Sequence, residues 1–215
     1  MTKFYRIIST IVRPFCKWIY RIEVRGAENI PEEGAILAAN HTAFSDVIVI
    51  SAACNRQIRY MAKKELFKTP LKPLITALGA FPVNRGGTDL DSIRRSVSLI
   101  GEGELLGIFP QGHRYGGQDP RMTEVKPGVG FLAYHTKATV VPCLISNGRM
   151  KTGIFRRNIV TFGKPIPVEE LGFPETGKPD YKAAADHIFA RICSAGENLL
   201  PEKTETEPSH EPENA

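Results

Sequence analysis

Long apolar runs are missing from this chain of 215 residues: none approaches the ~20 consecutive apolar residues a helix needs to cross a bilayer. With a hydrophobic fraction of 42%, that excludes a polytopic membrane protein. Cysteine is scarce and scattered. Cys16, Cys54, Cys143 and Cys193 include no C-x-x-C pair and no metal-like spacing, which excludes a disulfide framework and a zinc module. Three of the four sit in apolar surroundings and read as buried free thiols in a reducing compartment. No Ser or Cys stands at a nucleophile elbow, which argues against catalysis through a Ser or Cys nucleophile. Gly128-Val129-Gly130 opens a helical stretch but is too short for a nucleotide fingerprint. There is no internal repeat and no dense basic–aromatic run, so nucleic acid is not an expected partner. No metal or redox cofactor is implied.

Charge is present but uneven. The net value of +5 combines a body of +9 over residues 1–200 with a tail of −4 from Pro201 to Ala215. A basic body suits an anionic partner: a phosphorylated substrate, an anionic membrane or, on charge alone, nucleic acid. The tail is charged, proline-containing and aperiodic, and reads as disordered. At the other end, Phe4, Ile7, Ile8, Ile11, Phe15, Trp18, Ile19 and Ile22 recur at helical spacing among five basic residues and no acidic one. Residues 1–25 therefore read as a basic amphipathic segment suited to a membrane surface, divided near Pro14. The other reading of the stripe is a helix packing its apolar face on the core. Charges interrupt its apolar part and no clear cleavage site follows, unlike a signal peptide.

Between these ends, short apolar runs alternate with helical patterns, which predicts one α/β domain over residues 26–200 with a central mixed sheet flanked by helices. Strands are expected at 35–39, 56–62, 81–83, 105–109, 139–145 and 158–162. Helices are expected from Ser45, after Asp89, at 128–137 and at 181–200, with two short ones around Pro70 and Pro73.

The chemistry gathers at strand ends. Asn40-His41-Thr42-Ala43-Phe44-Ser45-Asp46 follows the first buried strand, and Ser45 is placed to cap the helix after it. A neutral imidazole can take a proton from a hydroxyl near neutral pH, and a carboxylate on its other nitrogen fixes the tautomer. Five residues apart in one helix, His41 and Asp46 would face different ways, so they meet only if His41 lies in the turn and Asp46 opens the helix. Alone, this spacing is a weak signal. It is reinforced by Asn84-Arg85-Gly86-Gly87 after one strand and Phe109-Pro110-Gln111-Gly112-His113-Arg114 after another. Both arginines then fall on the edge that carries His41, where a guanidinium can present a planar fork to phosphate.

These blocks, in this order, resemble the glycerolipid acyltransferase family, which includes the 1-acylglycerol-3-phosphate acyltransferases. Asn40, His41 and Asp46 match the family's N-H-x-x-x-x-D; Asn84 and Arg85 match its Asn/Asp-Arg pair. Phe109, Pro110, Gly112 and Arg114 match F-P-E-G-T-R, from which Gln111 and His113 depart; the fourth block is matched loosely around Pro142. The resemblance runs from about Gly26 to Pro167. It implies acyl transfer from a thioester, acyl-coenzyme A or acyl-carrier protein, to a lysophospholipid hydroxyl, with 1-acylglycerol 3-phosphate as preferred acceptor. His41 would be the base and Asp46 its orienting partner. Arg85 and Arg114 would hold the acceptor phosphate, Lys63 would lie near it, and Gln111 and Gly112 would shape the acceptor turn. It also implies a peripheral protein on the cytoplasmic face of the cell membrane. Gln111 and His113 leave other acceptors open, such as a lyso-aminolipid or glycerol 3-phosphate. Two other readings stay open: a hydrolase in which the pair activates water on a thioester, and a phospholipid-binding protein without turnover.

Overall fold

The computed structural model describes residues 3–70, 72–77, 79–83 and 90–200. Seven strands form one sheet: β1 (Ile22–Arg25), β2 (Ala35–Ala39), β3 (Ile58–Lys63), β4 (Phe81–Val83), β5 (Leu105–Ile108), β6 (Val140–Ser146) and β7 (Asn158–Phe162). Their order is β1-β7-β6-β2-β5-β3-β4, and only the β6–β7 pair is antiparallel. Five neighbouring strands, β6 through β4, thus end on the same edge. The described helices are α1 (Lys3–Ile19), α2 (Asp46–Ala53), α3 (Lys72–Ala77), α4 (Leu90–Gly101), α5 (Gly128–Thr136) and α6 (Tyr181–Ser194).

Central strands covered on both faces need apolar residues at every position, and β2 (Ala-Ile-Leu-Ala-Ala) is buried throughout. Its side chains alternate between two cores. Ile36 and Ala38 join Leu106, Leu144 and the inner faces of α4, α5 and α6. Ala35, Leu37 and Ala39 join Leu105, Val141, Cys143 and the residues Val49, Ile50 and Ala53 of α2. The result is a helix–sheet–helix sandwich, as the alternating pattern predicts. The chain leaves β2 through α2 towards β3, and leaves the adjacent β5 through α5 on the other face towards β6. Connections that part in this way open a crevice at the strand ends, the usual ligand position in such sheets.

Three expectations, the break at Pro14, the extent of the first segment and the Ser45 cap, are revised. α1 runs unbroken through Pro14, which lies on the exposed side of the helix. The helical segment ends at Ile19, and Ile22–Arg25 becomes an edge strand paired with β7. The outward stripe of α1 does not pack on the core: Ile11, Phe15 and Trp18 are 70%, 58% and 68% exposed. Ser45 stands at the start of α2, but its hydroxyl makes no capping bond. The two short helical pieces flanking Pro70 are found, at Lys64–Lys68 and in α3. The caps expected at Thr88 or Asp89 and the tail from Pro201 fall outside the described residues. No helix among the described residues is long and apolar enough to cross a membrane.

Candidate active site

Asn40 ends β2 and prolongs its ladder with its side chain. The carboxamide accepts from the Ile145 N–H at 2.7 Å and donates to the Ile145 carbonyl at 3.0 Å. The chain then turns, and His41 meets Asp46, the first residue of α2, through Nδ1···Oδ2 at 2.8 Å. A turn followed by a helix start is the geometry their spacing requires.

Asp46 is wholly buried, which is costly for a carboxylate unless its lone pairs are filled. Here they are. Oδ2 accepts from His41 Nδ1 and from the N–H groups of Thr42 and Ala43 at 2.5 and 2.8 Å. Oδ1 accepts from the hydroxyls of Thr42, at 3.0 Å, and of Thr152. Because the carboxylate only accepts, Nδ1 carries the imidazole proton. Nε2 is left as the basic nitrogen and has no hydrogen bond among the described residues. The His41 side chain keeps 17% of its surface open and stacks on Phe109 at 4.0 Å, with planes 16° apart. Tyr60 lies beyond Phe109, nearly parallel, at 6.1 Å. The imidazole is held by a hydrogen bond at one edge and a ring against its face.

The turn after β5 braces the turn after β2. Tyr115 N–H donates to the His41 carbonyl at 2.8 Å. Gly112 has φ of +70°, a conformation that favours glycine, and lets the turn reverse. Gln111, expected to shape the acceptor turn as part of the substrate site, faces the interior instead and is 1% exposed. Its Oε1 accepts from the His41 N–H at 2.6 Å, and its Nε2 donates to Thr123 Oγ1 at 2.6 Å. Thr123 gives its own proton to the Pro120 carbonyl at 2.7 Å, which fixes the direction of this chain of bonds. Replacing a carboxylate by a carboxamide therefore leaves no orphan: the added N–H₂ has an acceptor in Thr123. His113 and Arg114 are exposed, and Arg114 makes no hydrogen bond or ion pair among the described residues. Lys63 ends β3 on the same edge, in register with Val83 at the end of β4. The side chain of Lys63, and Asn84 and Arg85 altogether, lie outside the described residues.

Three contributors were not singled out from the sequence: Thr42, Thr152 and Phe109 as a ring under the imidazole. Thr42 sits inside the motif, and a hydroxyl residue beside a histidine is a modest signal. Thr152 is 106 residues from Asp46, and nothing in the sequence links them. The cysteines play no part. Cys54, Cys143 and Cys193 are buried, and burial pushes their thiols up, Cys193 to about 11, so none is poised as a thiolate.

A base on one edge of a crevice, its partner buried, can activate a hydroxyl or a water. The comparisons narrow this. The sequence model of the Acyltransferase family matches residues 21–146, more than half of the chain. The chain is similar to the 1-acyl-sn-glycerol-3-phosphate acyltransferase of Bacillus subtilis (strain 168), 29% identical over 182 residues, with 83% of this chain and 89% of that one covered. It is also similar to the enzyme of the same name from Streptococcus pneumoniae, 28% identical over 145 residues, which span 65% of this chain and 53% of that one. Among solved structures, the 1-acyl-sn-glycerophosphate acyltransferase PlsC from Thermotoga maritima shares the fold, with a TM-score of 0.66 over 91% of this chain and 81% of that one at 19% identity. With its ordered motifs, this sheet and that match, the chain belongs to the glycerolipid acyltransferase family.

Proposed function

We propose that this acyltransferase moves a fatty acyl chain from a thioester, acyl-coenzyme A or acyl-carrier protein, to the free hydroxyl of 1-acylglycerol 3-phosphate, giving phosphatidic acid. The observation that carries this reading is the His41–Asp46 pair at 2.8 Å with Nε2 unengaged at the crevice. The acceptor is the one named for the relatives from Bacillus subtilis and Streptococcus pneumoniae.

In this reading Nε2 takes the hydroxyl proton as the acceptor oxygen attacks the thioester carbonyl. The C–O bond forms, the tetrahedral intermediate collapses, and the C–S bond breaks. The leaving thiolate then recovers the proton from the imidazolium. Asp46 holds the tautomer and stabilises the transient cation. General-base catalysis typically contributes ~10²–10⁴-fold. Arg114, exposed and without an ion pair among the described residues, would hold the acceptor phosphate; Arg85 and Lys63 keep the roles the family resemblance gives them. Gln111 acts through the protein, by fixing the backbone of His41, and Gly112 shapes the turn. The departure that faces solvent is His113, so an altered acceptor preference falls to that residue. The chain works as a peripheral protein at the membrane that holds its acceptor.

The test is acyl transfer by purified protein with both donors and a panel of lyso-acceptors, with His41→Ala as control. Turnover on 1-acylglycerol 3-phosphate, lost in the variant, is the expected result. Turnover confined to another acceptor refutes the choice of acceptor, and acyl release without acceptor dependence replaces transfer by hydrolysis.

A further inference from the structure

The loop between β6 and β7 is bound at both ends and apolar at its tip. Asn147, at its start, accepts from the N–H groups of Arg149 and Lys151 at 3.0 and 3.1 Å and donates to the Lys151 carbonyl at 2.7 Å. Asn158, at its end, is fully buried and donates to the carbonyls of Gly153 and Arg156, both at 2.9 Å, and to that of Tyr20. Phe155 N–H donates to the Ile19 carbonyl at 2.7 Å. Thr152, in the middle, donates to Asp46. This wiring could have tucked the loop's apolar residues inward. Instead Ile154 and Phe155 are 56% and 62% exposed, and Phe155 is held at φ of +55°, an uncommon and strained conformation for a bulky residue.

The tip does not stand alone. Phe155 meets Trp18 of α1 edge to face at 6.3 Å, and Trp18 lies 6.5 Å from Phe15. Of the nine large apolar side chains that are exposed among the described residues, six lie on α1 or on this loop, a concentration that marks an interaction surface rather than scattered exposure. The charge around it is mostly of one sign. Arg149, Lys151, Arg156 and Arg157 in the loop are exposed, and neither the loop nor α1 contains an acidic residue; Arg157 is paired with Glu23 of β1, which leaves Arg149, Lys151 and Arg156 as the cations offered by the loop. Arg13 and Lys17 of α1 line an open groove with Thr10 and Pro14. Aromatic and aliphatic tips ringed by cations fit the interface of an anionic bilayer: rings at headgroup depth, cations on lipid phosphates. An acidic protein partner would meet the cations but give no reason for the strained apolar tip.

We propose, resting on the lipid-acceptor reading above, that the tip Ile154–Phe155 and the outward face of α1 form one docking surface for an anionic bilayer. The active site is then seated against the membrane by its own loop. Ile154 is two residues from Thr152, and so within ~7 Å of it along the chain. Docking through this tip sets the turn that carries His41 and Asp46 close to the lipid surface, where a lysophospholipid resides.

The chain supplies its own reporter, since Trp18 is its single tryptophan. Full-length protein is titrated with vesicles of equal parts phosphatidylglycerol and phosphatidylcholine, and with phosphatidylcholine alone. Trp18 emission should shift to the blue with the anionic vesicles, be quenched by lipids brominated in the acyl chain, and revert at high salt. The I154S/F155S variant should partition about tenfold more weakly, or worse, as expected when apolar area is withdrawn from an interface. In W18F/F155W the tryptophan moves to the loop, and its blue shift reports insertion of the tip even if the serine variant folds poorly. Binding by the wild type with no shift in W18F/F155W overturns the role of the loop and leaves membrane association through α1 standing. A shift on adding acidic acyl-carrier protein but not vesicles overturns the bilayer as occupant. Turnover on detergent-dispersed 1-acylglycerol 3-phosphate is measured separately, so that failure to dock and failure of the acyltransferase reading give different results.

Discussion

The turn that carries His41 and the helix α1 depart from ordinary burial in opposite directions. In the turn a carboxylate is fully buried; on the helix a tryptophan is 68% exposed. The buried charge is complete within the protein, because five donors from the imidazole, two backbone amides and two threonine hydroxyls surround Asp46. The exposed rings find their partner, in the docking proposed above, outside the protein. Removing a partner from the first region should therefore cost stability and activity together. Altering the second should leave the fold intact and change only where the protein resides.

The sharpest break of this contrast is at the dyad. His41→Ala should lower kcat by about 10²–10⁴-fold. Its melting temperature should fall only modestly, since the ring is partly open and four of the five donors to Asp46 remain. A folded variant with near-normal turnover would remove His41 from the chemistry. Asp46→Asn should lower kcat comparably and also destabilise the fold by about 2–4 kcal/mol, because a carboxamide cannot accept from all five donors. Denaturant unfolding reads the second effect, and an unchanged midpoint would contradict the view that the carboxylate organises the turn.

Arg114→Ala should raise the apparent KM for a phosphorylated acceptor about tenfold or more, as charge-assisted hydrogen bonds are worth ~1.5–3 kcal/mol each. KM for an uncharged acceptor should hold, and equal changes for both would take phosphate recognition away from Arg114. Thr152→Val should lower kcat by about tenfold with little change in KM, because the hydroxyl reaches the dyad and not the substrate. Thr152→Ser should recover most of the loss. If valine and serine behave alike, the threonine only fills space.

The smallest effect is expected at Gln111. Gln111→Glu keeps an oxygen for the His41 N–H and meets Thr123, whose hydroxyl can rotate to donate, so kcat should stay within about threefold. Gln111→Leu, which removes both bonds, should fall further. On the helix, Ile11→Asp should change stability by no more than about 0.5 kcal/mol, the usual range for an exposed site, while weakening vesicle binding. A large loss of stability there would mean that the stripe is packed after all.

Some of this was legible before any coordinates. The buried strands announce themselves because a sheet covered on both faces needs apolar residues at consecutive positions, and β2, β5 and β6 have them. The His41–Asp46 contact was legible for a local reason: the two residues are close in sequence, and the turn between a strand and a helix brings them together. Pro14 misled because the single backbone bond a proline removes does not divide this helix, which runs on from Lys3 to Ile19. Gln111 misled because its place in a motif says that it matters, not which way it points.

By itself, the sequence determined the α/β architecture, the order of the strand-end motifs and the pairing of a base with a carboxylate. Each of these follows from periodicity or from short separations along the chain. Only the tertiary structure decided that Thr152 completes Asp46, that Gln111 turns inward to hold His41, and that Ile11, Phe15 and Trp18 of α1 face outward, Trp18 against Phe155. The reason is the same in each case. These contacts join residues far apart in sequence across a folded edge, and their energies depend on where the backbone carries each side chain, which no local pattern of residues encodes.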